Sequence, residues 1–269
     1  MKVAIIGAGS MGGTAARSFA TCPLFSPDDI IVTAMHQKTL DAFEGTGIHT
    51  TLDNKAAVRD ADVIILAVRP ECAEEVSREV ASVLDFANQV VISFIAGIPS
   101  SKYVEWFDNT DFDRLSVGMT IPNLFLAMPN TAMELNEGLT FIAPVHATPV
   151  QICLVKAIFD SVGKSVIINE EMMNAGMALA SCGVAYAMKY ILASVEGGKQ
   201  LGFSTEEAIK VVVQTVKGAA MLVTAHGSAP EVEIAKIATP GGYTEKGLRE
   251  MENSDFTAIV HSALEVSSK

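Results

Sequence analysis

The 269-residue sequence predicts an α/β N-terminal domain with a mostly parallel sheet, followed by an all-helical C-terminal domain. Three observations carry this expectation. The chain opens on a continuous apolar run, Val3-Ala4-Ile5-Ile6, that ends in Gly7-Ala8-Gly9-Ser10-Met11-Gly12. Further apolar runs alternate with helical patterns as far as Ile168, as in a sheet whose strands are buried on both faces. From Glu170 onward no segment keeps a convincing period of two, and the pattern becomes helical. The expected division is therefore 1–168 and 169–269, with the boundary near Asn169.

The first segment has the spacing G-x-G-x-x-G between a strand pattern and a helix pattern (Ala15, Ala16, Phe19, Ala20), the context that a Rossmann-like dinucleotide site requires. Gly7 permits the tight turn, Gly9 lets backbone approach a pyrophosphate, and Gly12 lets helix and strand pack closely. Ser10 and Met11 open the helix, whose free N–H groups and positive dipole end face the phosphates. Asp29 to Ala34 reads as the second strand. In NAD-specific domains an acidic residue ends this strand, whereas here it runs into Met35-His36-Gln37-Lys38. The missing carboxylate favours NADPH, with NADH as the alternative. His36 and Lys38 either meet the 2′-phosphate or lie in a solvated loop.

Leu40 to Phe43 predicts a short helix broken by Gly45 and Gly47, and His49 to Thr51 a short strand. Asp53-Asn54 precedes a helix from Lys55 to Asp60. Val63 to Val68 is a buried strand stopped by Arg69-Pro70, because proline cannot continue the ladder. Ligands in such sheets bind beyond the carboxyl ends of strands, so Ala67, Val68, Arg69 and Pro70 form a candidate cofactor wall. Glu71 to Leu84 is helical. Gln89 to Phe94 is a strand closed by Ala96-Gly97-Ile98-Pro99, and Ser101 to Phe107 a helix carrying the only tryptophan, Trp106. Leu115 to Met119 reads as a sixth strand, followed by Asn123 to Ala127 and Met128-Pro129-Asn130-Thr131. Gly138 to Ala143 and Lys164 to Ile168 are further strands around a helix from Pro149 to Val162. Asn54, Ala96, Gly97 and Asn130 complete the candidate cofactor contacts.

The C-terminal part contains helical runs Glu171 to Leu201, Ser204 to Ala225, Pro230 to Lys236, and Glu245 to the end. Gly202 is a helix stop, and Ser204 with Glu207 forms a capping box. Small residues from Ala175 to Ala185 suit close helix–helix contact, either across a subunit interface or within one subunit. The uncharged stretch Met172 to Met188 is shorter than a bilayer span requires.

Bulk composition excludes other classes. The formal net charge of −12 disfavours nucleic acid and anionic membrane surfaces. The four cysteines (Cys22, Cys72, Cys153, Cys182) include no C-x-x-C pair, which argues against a metal site or disulfide framework and fits a reducing, cytoplasmic compartment. A strand pattern directly after Met1 leaves no room for a secretory signal at that point.

The most informative helical-domain stretch is Thr239-Pro240-Gly241-Gly242-Tyr243-Thr244. Two glycines before a helix start expose consecutive N–H groups, an anion nest for a carboxylate or phosphate, or else form a plain Gly-Gly turn. Thr244 falls at the expected N-cap.

With these segments in view, the chain resembles the Δ1-pyrroline-5-carboxylate reductases along nearly its whole length. Ile5 to Gly12 is similar to the family's IGAGNMG, Ala61 to Pro70 to ADVIxLAVKP, Met128 to Thr131 to MPNT, Glu137 to Thr140 to EGxT, and Thr239 to Thr244 to SPGGTT. The resemblance implies hydride transfer from NADPH or NADH to the C=N carbon of a cyclic imino acid, giving L-proline. It implies that the substrate carboxylate sits on the Gly241-Gly242 backbone beside Thr239 and Tyr243, with Thr244 hydrogen-bonded near the ring nitrogen as the catalytic residue. It also implies a helical domain that dimerises by interleaving, with rings of dimers in some members, and no metal. The family's ALSGSGPAY appears as Ala178 to Tyr186, with Cys182 and Val184 as departures. Tyr243 replaces the first threonine of the loop, and Gly227 stands where some members carry glutamate. These departures bear on substrate choice more than on cofactor binding. The rival expectations are a reductase of another cyclic imine or a hydroxyacid, for which Lys189 would be the nearest acid–base residue, and a non-catalytic NADP-binding homologue.

Overall fold

Alternating apolar runs and small-residue turns build an eight-stranded sheet, in a computed structural model that describes residues 1–108 and 121–269. The strand expected at Leu115–Met119 lies outside the described residues. Contacts divide the chain into two compact units, Met1–Ser181 and Cys182–Lys269. Sequence patterning put the change near Asn169, whereas the contact division falls after Ser181. The intervening turns belong to the first unit's core: Met173 and Ala180 are buried there, and Asn130 Nδ2 donates to the Ala180 carbonyl at 3.3 Å.

The sheet of the first unit comprises β1 (Val3–Ile6), β2 (Ile30–Thr33), β3 (His49–Thr51), β4 (Val63–Leu66), β5 (Val90–Ser93), β6 (Asn123–Met128), β7 (Gly138–His146) and β8 (Gly163–Ile167), in the order β3-β2-β1-β4-β5-β6-β7-β8. The first six strands are parallel; β7 runs antiparallel to β6 and parallel to β8. Strand β6 was not recognised as a strand from its sequence. Pro122 and Asn123 at its entrance disguised a run that is buried almost throughout. Asn123 Nδ2 satisfies itself on the Gln89 carbonyl at 3.0 Å.

Alternation along β1 explains the layering. Val3 and Ile5 join one core with Ala15, Ala16 and Phe19 of α1 (Ser10–Thr21); Ala4 and Ile6 join the other with Ala57 and Val58 of α2 (Asn54–Arg59). All four β1 side chains are fully buried, each worth about 1.5–3 kcal/mol for the larger ones. On the second face Val80 of α3 (Ala73–Ala81) and Tyr103 and Trp106 of α4 (Ser100–Phe107) complete the cover. On the first, Phe159 of α5 (Pro149–Asp160) packs at 6.4 Å from Phe19 and 5.8 Å from Phe94. At the carboxyl edge β1 and β4 run into Gly7 and Ala67, while β2 and β5 end in Thr33 and Ser93.

The second unit contains α6 (Gly183–Gln200), α7 (Thr205–His226), α8 (Pro230–Ile237), α9 (Tyr243–Asn253) and α10 (Phe256–Ser267). The chain from Glu170 to Gln200 is helical throughout, with a π-helical segment at Met177–Cys182. Ser204 and Glu207 form the expected capping box on α7, and Gly202 supplies a left-handed stop at φ +101°. Gly227 closes α7 in the left-handed region at φ +60°, which accounts for glycine at that departure. The single final helix expected from Glu245 is two helices, because Asp255 turns left-handed at φ +59°.

Only three of these residues, Val195, Ala208 and Glu233, are buried within the unit, while Met188, Leu192, Ile209, Met221 and Ile259 are exposed. Ordering each residue's backbone opposes folding by about 1–2 kcal/mol, far more than three buried side chains offset. The apolar faces therefore need a further surface to cover them. The helices Glu170–Gln200 and Thr205–His226 are long and apolar enough to cross a bilayer by length and composition. The uncharged stretch Met172–Met188 lies within the longer of these two helices.

Candidate active site

The β1–α1 turn is built so that one glycine leaves a space that the protein itself does not fill. A Cβ on Gly12 would lie 1.9 Å from the Gly7 carbonyl oxygen, and one on Gly7 would lie 2.8 Å from the Ala67 oxygen and 3.0 Å from Val68 Cγ1. These two glycines are demanded by the fold. A Cβ on Gly9 would meet nothing within 4 Å. Gly9 is the N-cap of α1 and offers no side-chain cap, and the first turn contains no acidic residue. The N–H groups of Ser10, Met11 and Gly12 find no acceptor among the described residues; the first intrahelical bond is from Gly13 N to Gly9 O at 2.8 Å. An open, uncapped helix start at the carboxyl edge of the sheet fits a pyrophosphate.

The neighbouring candidates gather on the same edge. Gly7 and Ala8 N–H donate to the Thr33 carbonyl (3.2 and 2.7 Å), which ties the loop to the end of β2. Thr33 Oγ1 donates to Asn54 Oδ1 at 2.6 Å, and Asn54 Nδ2 donates to Glu79 Oε2 at 2.8 Å. No carboxylate ends β2 itself; His36 and Lys38 are exposed just beyond it. Exposed Arg69 pairs with Glu71 at 3.0 Å, and Pro70 starts a short 3-10 turn. Ala96 and Gly97 line a cavity of about 560 Å³ with Ser93, Met128, Glu170 and Asn174. Its floor is fixed by buried hydrogen bonds: Ser93 Oγ meets Tyr103 OH at 2.6 Å and accepts from Ile95 N at 3.1 Å. Burial pushes the Tyr103 phenol up to about 12, so it stays neutral. Its rim is held by Glu170, which accepts from Ser100 N at 2.7 Å at the start of α4.

Asn130 also ties the fold together. It is 7% exposed. Oδ1 accepts from Ala132 N (3.1 Å) and Leu139 N (3.4 Å), and Nδ2 donates to Ala180 O. These bonds use Oδ1 and one of the two Nδ2 hydrogens.

In the second unit, the 239–244 loop departs from the expected nest. Gly242, not Thr244, is the N-cap of α9, so Thr244 is its second helical residue. Gly242 N–H donates to Thr239 O at 2.9 Å, and Gly241 N–H donates to Glu245 Oε2 at 2.6 Å. Both glycine donors are therefore used within the chain. The groups without an acceptor among the described residues are the N–H of Tyr243, Thr244 and Glu245, since the first helical bond starts at Lys246. These free groups lie about two residues beyond the Gly241-Gly242 pair, at Thr244, whose hydroxyl is exposed and has no partner among the described residues. The glycines remain necessary: Gly241 sits at φ +74°, and a Cβ on Gly242 would lie 2.6 Å from Thr239 Oγ1. Tyr243 is 94% exposed, with the Lys246 ammonium 5.7 Å from its ring centroid. Half-buried Cys182 shares no hydrogen bond with this loop, and Lys189 is exposed on α6.

Sequence reasoning missed three carboxylates. Glu79 reaches the end of β2 through Asn54, a tertiary contact without a local signal. Glu233 is buried among Lys236 (2.6 Å), Ser228 and His226 (3.1 Å), which also occupies the histidine nearest the loop. Lys236 and Ser228 draw its carboxyl down to about 2. Glu245 did have a signal: it lies three residues past the N-cap, the acidic position of a capping box.

An uncapped glycine turn on a mostly parallel sheet, joined in sequence to a helical unit with a second glycine-opened helix start, defines a nicotinamide-dinucleotide oxidoreductase. Residues 2–97 match the family model described as NADP oxidoreductase coenzyme F420-dependent, and residues 170–269 match pyrroline-5-carboxylate reductase dimerisation. Over 271 residues the chain is 31% identical to pyrroline-5-carboxylate reductase of Arabidopsis thaliana, covering 100% of this chain and 93% of that one. It is 28% identical to pyrroline-5-carboxylate reductase 1 of Dictyostelium discoideum over 99% of this chain, which is 48% of that longer protein. The solved pyrroline-5-carboxylate reductase of Coxiella burnetii superposes with a TM-score of 0.87 at 26% identity, covering 99% and 96% of the two chains. The chain belongs to the pyrroline-5-carboxylate reductase family. The match to its dimerisation model supplies the missing cover for the apolar helices: association between copies.

Proposed function

We propose that this protein reduces 1-pyrroline-5-carboxylate to L-proline with NADPH, NADH being the weaker donor. The observation that carries this reading is the start of α9. There the N–H groups of Tyr243 and Thr244 lie free beside an unpartnered hydroxyl, a fit for a carboxylate with a ring nitrogen next to it. When bound, the nicotinamide supplies a hydride. This chain's residues do the rest. The α1 start, opened at Gly9, holds the pyrophosphate, and exposed His36 and Lys38 face a 2′-phosphate without a competing carboxylate on β2. The Tyr243 and Thr244 amides take the substrate carboxylate, and the Thr244 hydroxyl accepts from the protonated ring nitrogen, keeping the C=N carbon electrophilic. No covalent step is needed, and rate comes from positioning. We place the enzyme in the cytoplasm, free of membrane and nucleic acid, as a dimer that assembles further into a ring of dimers.

The test is steady-state oxidation of NADPH and of NADH by purified protein with 1-pyrroline-5-carboxylate. Turnover with NADPH at lower KM than NADH is expected. Absence of turnover with either cofactor overturns the reading.

A further inference from the structure

The loop expected to receive a carboxylate already holds one of its own. Glu245 curls back from the first turn of α9, and its Oε2 accepts the Gly241 N–H at 2.6 Å. Its other oxygen lies 3.5 Å from Arg249 Nη2, a long and exposed pairing that leaves most of its charge uncompensated. The two neighbouring cations do not change this: Lys246 lies over the Tyr243 ring, and Arg249 is turned largely to solvent. An acidic group here also lies near the positive end of the α9 dipole, the potential that an incoming anion would use.

We propose that Glu245 is a specificity-determining residue of the substrate loop: its negative charge weakens the grip of the Tyr243–Thr244 amides on a carboxylate. This deepens the proposed reaction and rests on it. Substrate and product both carry a carboxylate, so one charge raises KM and speeds product departure together. The hydrogen bond and the charge have separable effects. The bond latches Gly241 in its left-handed conformation, and an amide in place of the carboxylate keeps that latch. Like charges repel across solvent, and more strongly where solvent is partly excluded.

The experiment compares the wild type with Glu245→Gln. KM for 1-pyrroline-5-carboxylate should fall about threefold to tenfold in the variant, and the dissociation constant of L-proline, measured by calorimetry, should fall by a similar factor. Raising the salt concentration should shrink both gaps, because screening acts on charge and leaves a purely structural latch untouched. Wild-type turnover with an unchanged KM in the variant overturns the role of Glu245 and leaves the proposed reaction standing. Lack of wild-type turnover overturns the proposed reaction, and the L-proline comparison then decides Glu245 alone: equal affinities, or no binding to either protein, reject it.

Discussion

Replacing Gly9 and Gly12 by alanine separates a ligand requirement from a folding requirement within four residues. Gly12→Ala places a Cβ 1.9 Å from the Gly7 carbonyl oxygen, at least 1 Å closer than real Cβ contacts come. Backbone must move at the centre of the sheet, at about 1–3 kcal/mol or more, lowering the melting temperature by several degrees. Gly9→Ala meets nothing within 4 Å, and Gly9 already has φ −70° and ψ −164°, which alanine adopts freely. Its stability should hold or rise by about 0.4–1 kcal/mol, because the unfolded chain loses freedom. The same methyl group stands where a pyrophosphate oxygen must approach. Losing one charge-assisted hydrogen bond there removes about 1.5–3 kcal/mol, roughly a 10- to 150-fold loss of NADPH affinity. Thermal melts paired with NADPH titration of both variants read the two effects. A Gly9→Ala protein that binds NADPH like the wild type would refute the assignment of that space to the cofactor.

Further outcomes follow from the other sites. Thr244→Ala should lower kcat at least tenfold with NADPH affinity intact, and equal kinetics would remove the hydroxyl from the reaction. Glu233→Gln should lower thermal stability at neutral pH. The carboxyl is held near 2 against an ordinary 4.5, so its contribution is full above about pH 4.5 and vanishes as pH falls towards 2; the melting gap between variant and wild type must close over that window. A gap independent of pH would assign the effect to packing alone. Ile259→Glu puts a charge on an exposed apolar face of α10 and should shift the protein toward monomer with loss of helical-unit stability; light scattering showing the wild-type mass would contradict this.

Local rules carried most of this fold. Glycine spacing, the apolar runs β1, β4 and β5, and the Ser204 cap are decided within a few residues, so they were legible. Strand β6 was not, because its start carries Pro122 and Asn123, whose amide is satisfied only by residues more than thirty positions away. The part Asn130 plays in the fold was hidden for the same reason: it depends on Ala180, fifty residues later. The 239–244 loop was identified as an anion site, yet which amides stay free depends on where the helix starts, and Glu245 fixes that. The final helix reads as one when the short cluster Asn253-Ser254-Asp255, whose residue types favour turns and left-handed backbone, is taken as part of a polar helix face.

The near absence of an interior in the second unit has a genetic consequence. A copy damaged at Gly9 or Thr244 still presents intact α6, α7 and α10 surfaces, so it captures healthy copies as readily as they capture one another. Where both are synthesised together, most assemblies then carry at least one impaired subunit. Damage to the helical faces themselves acts oppositely: such a copy finds no partner and is degraded, and its healthy counterpart works undisturbed.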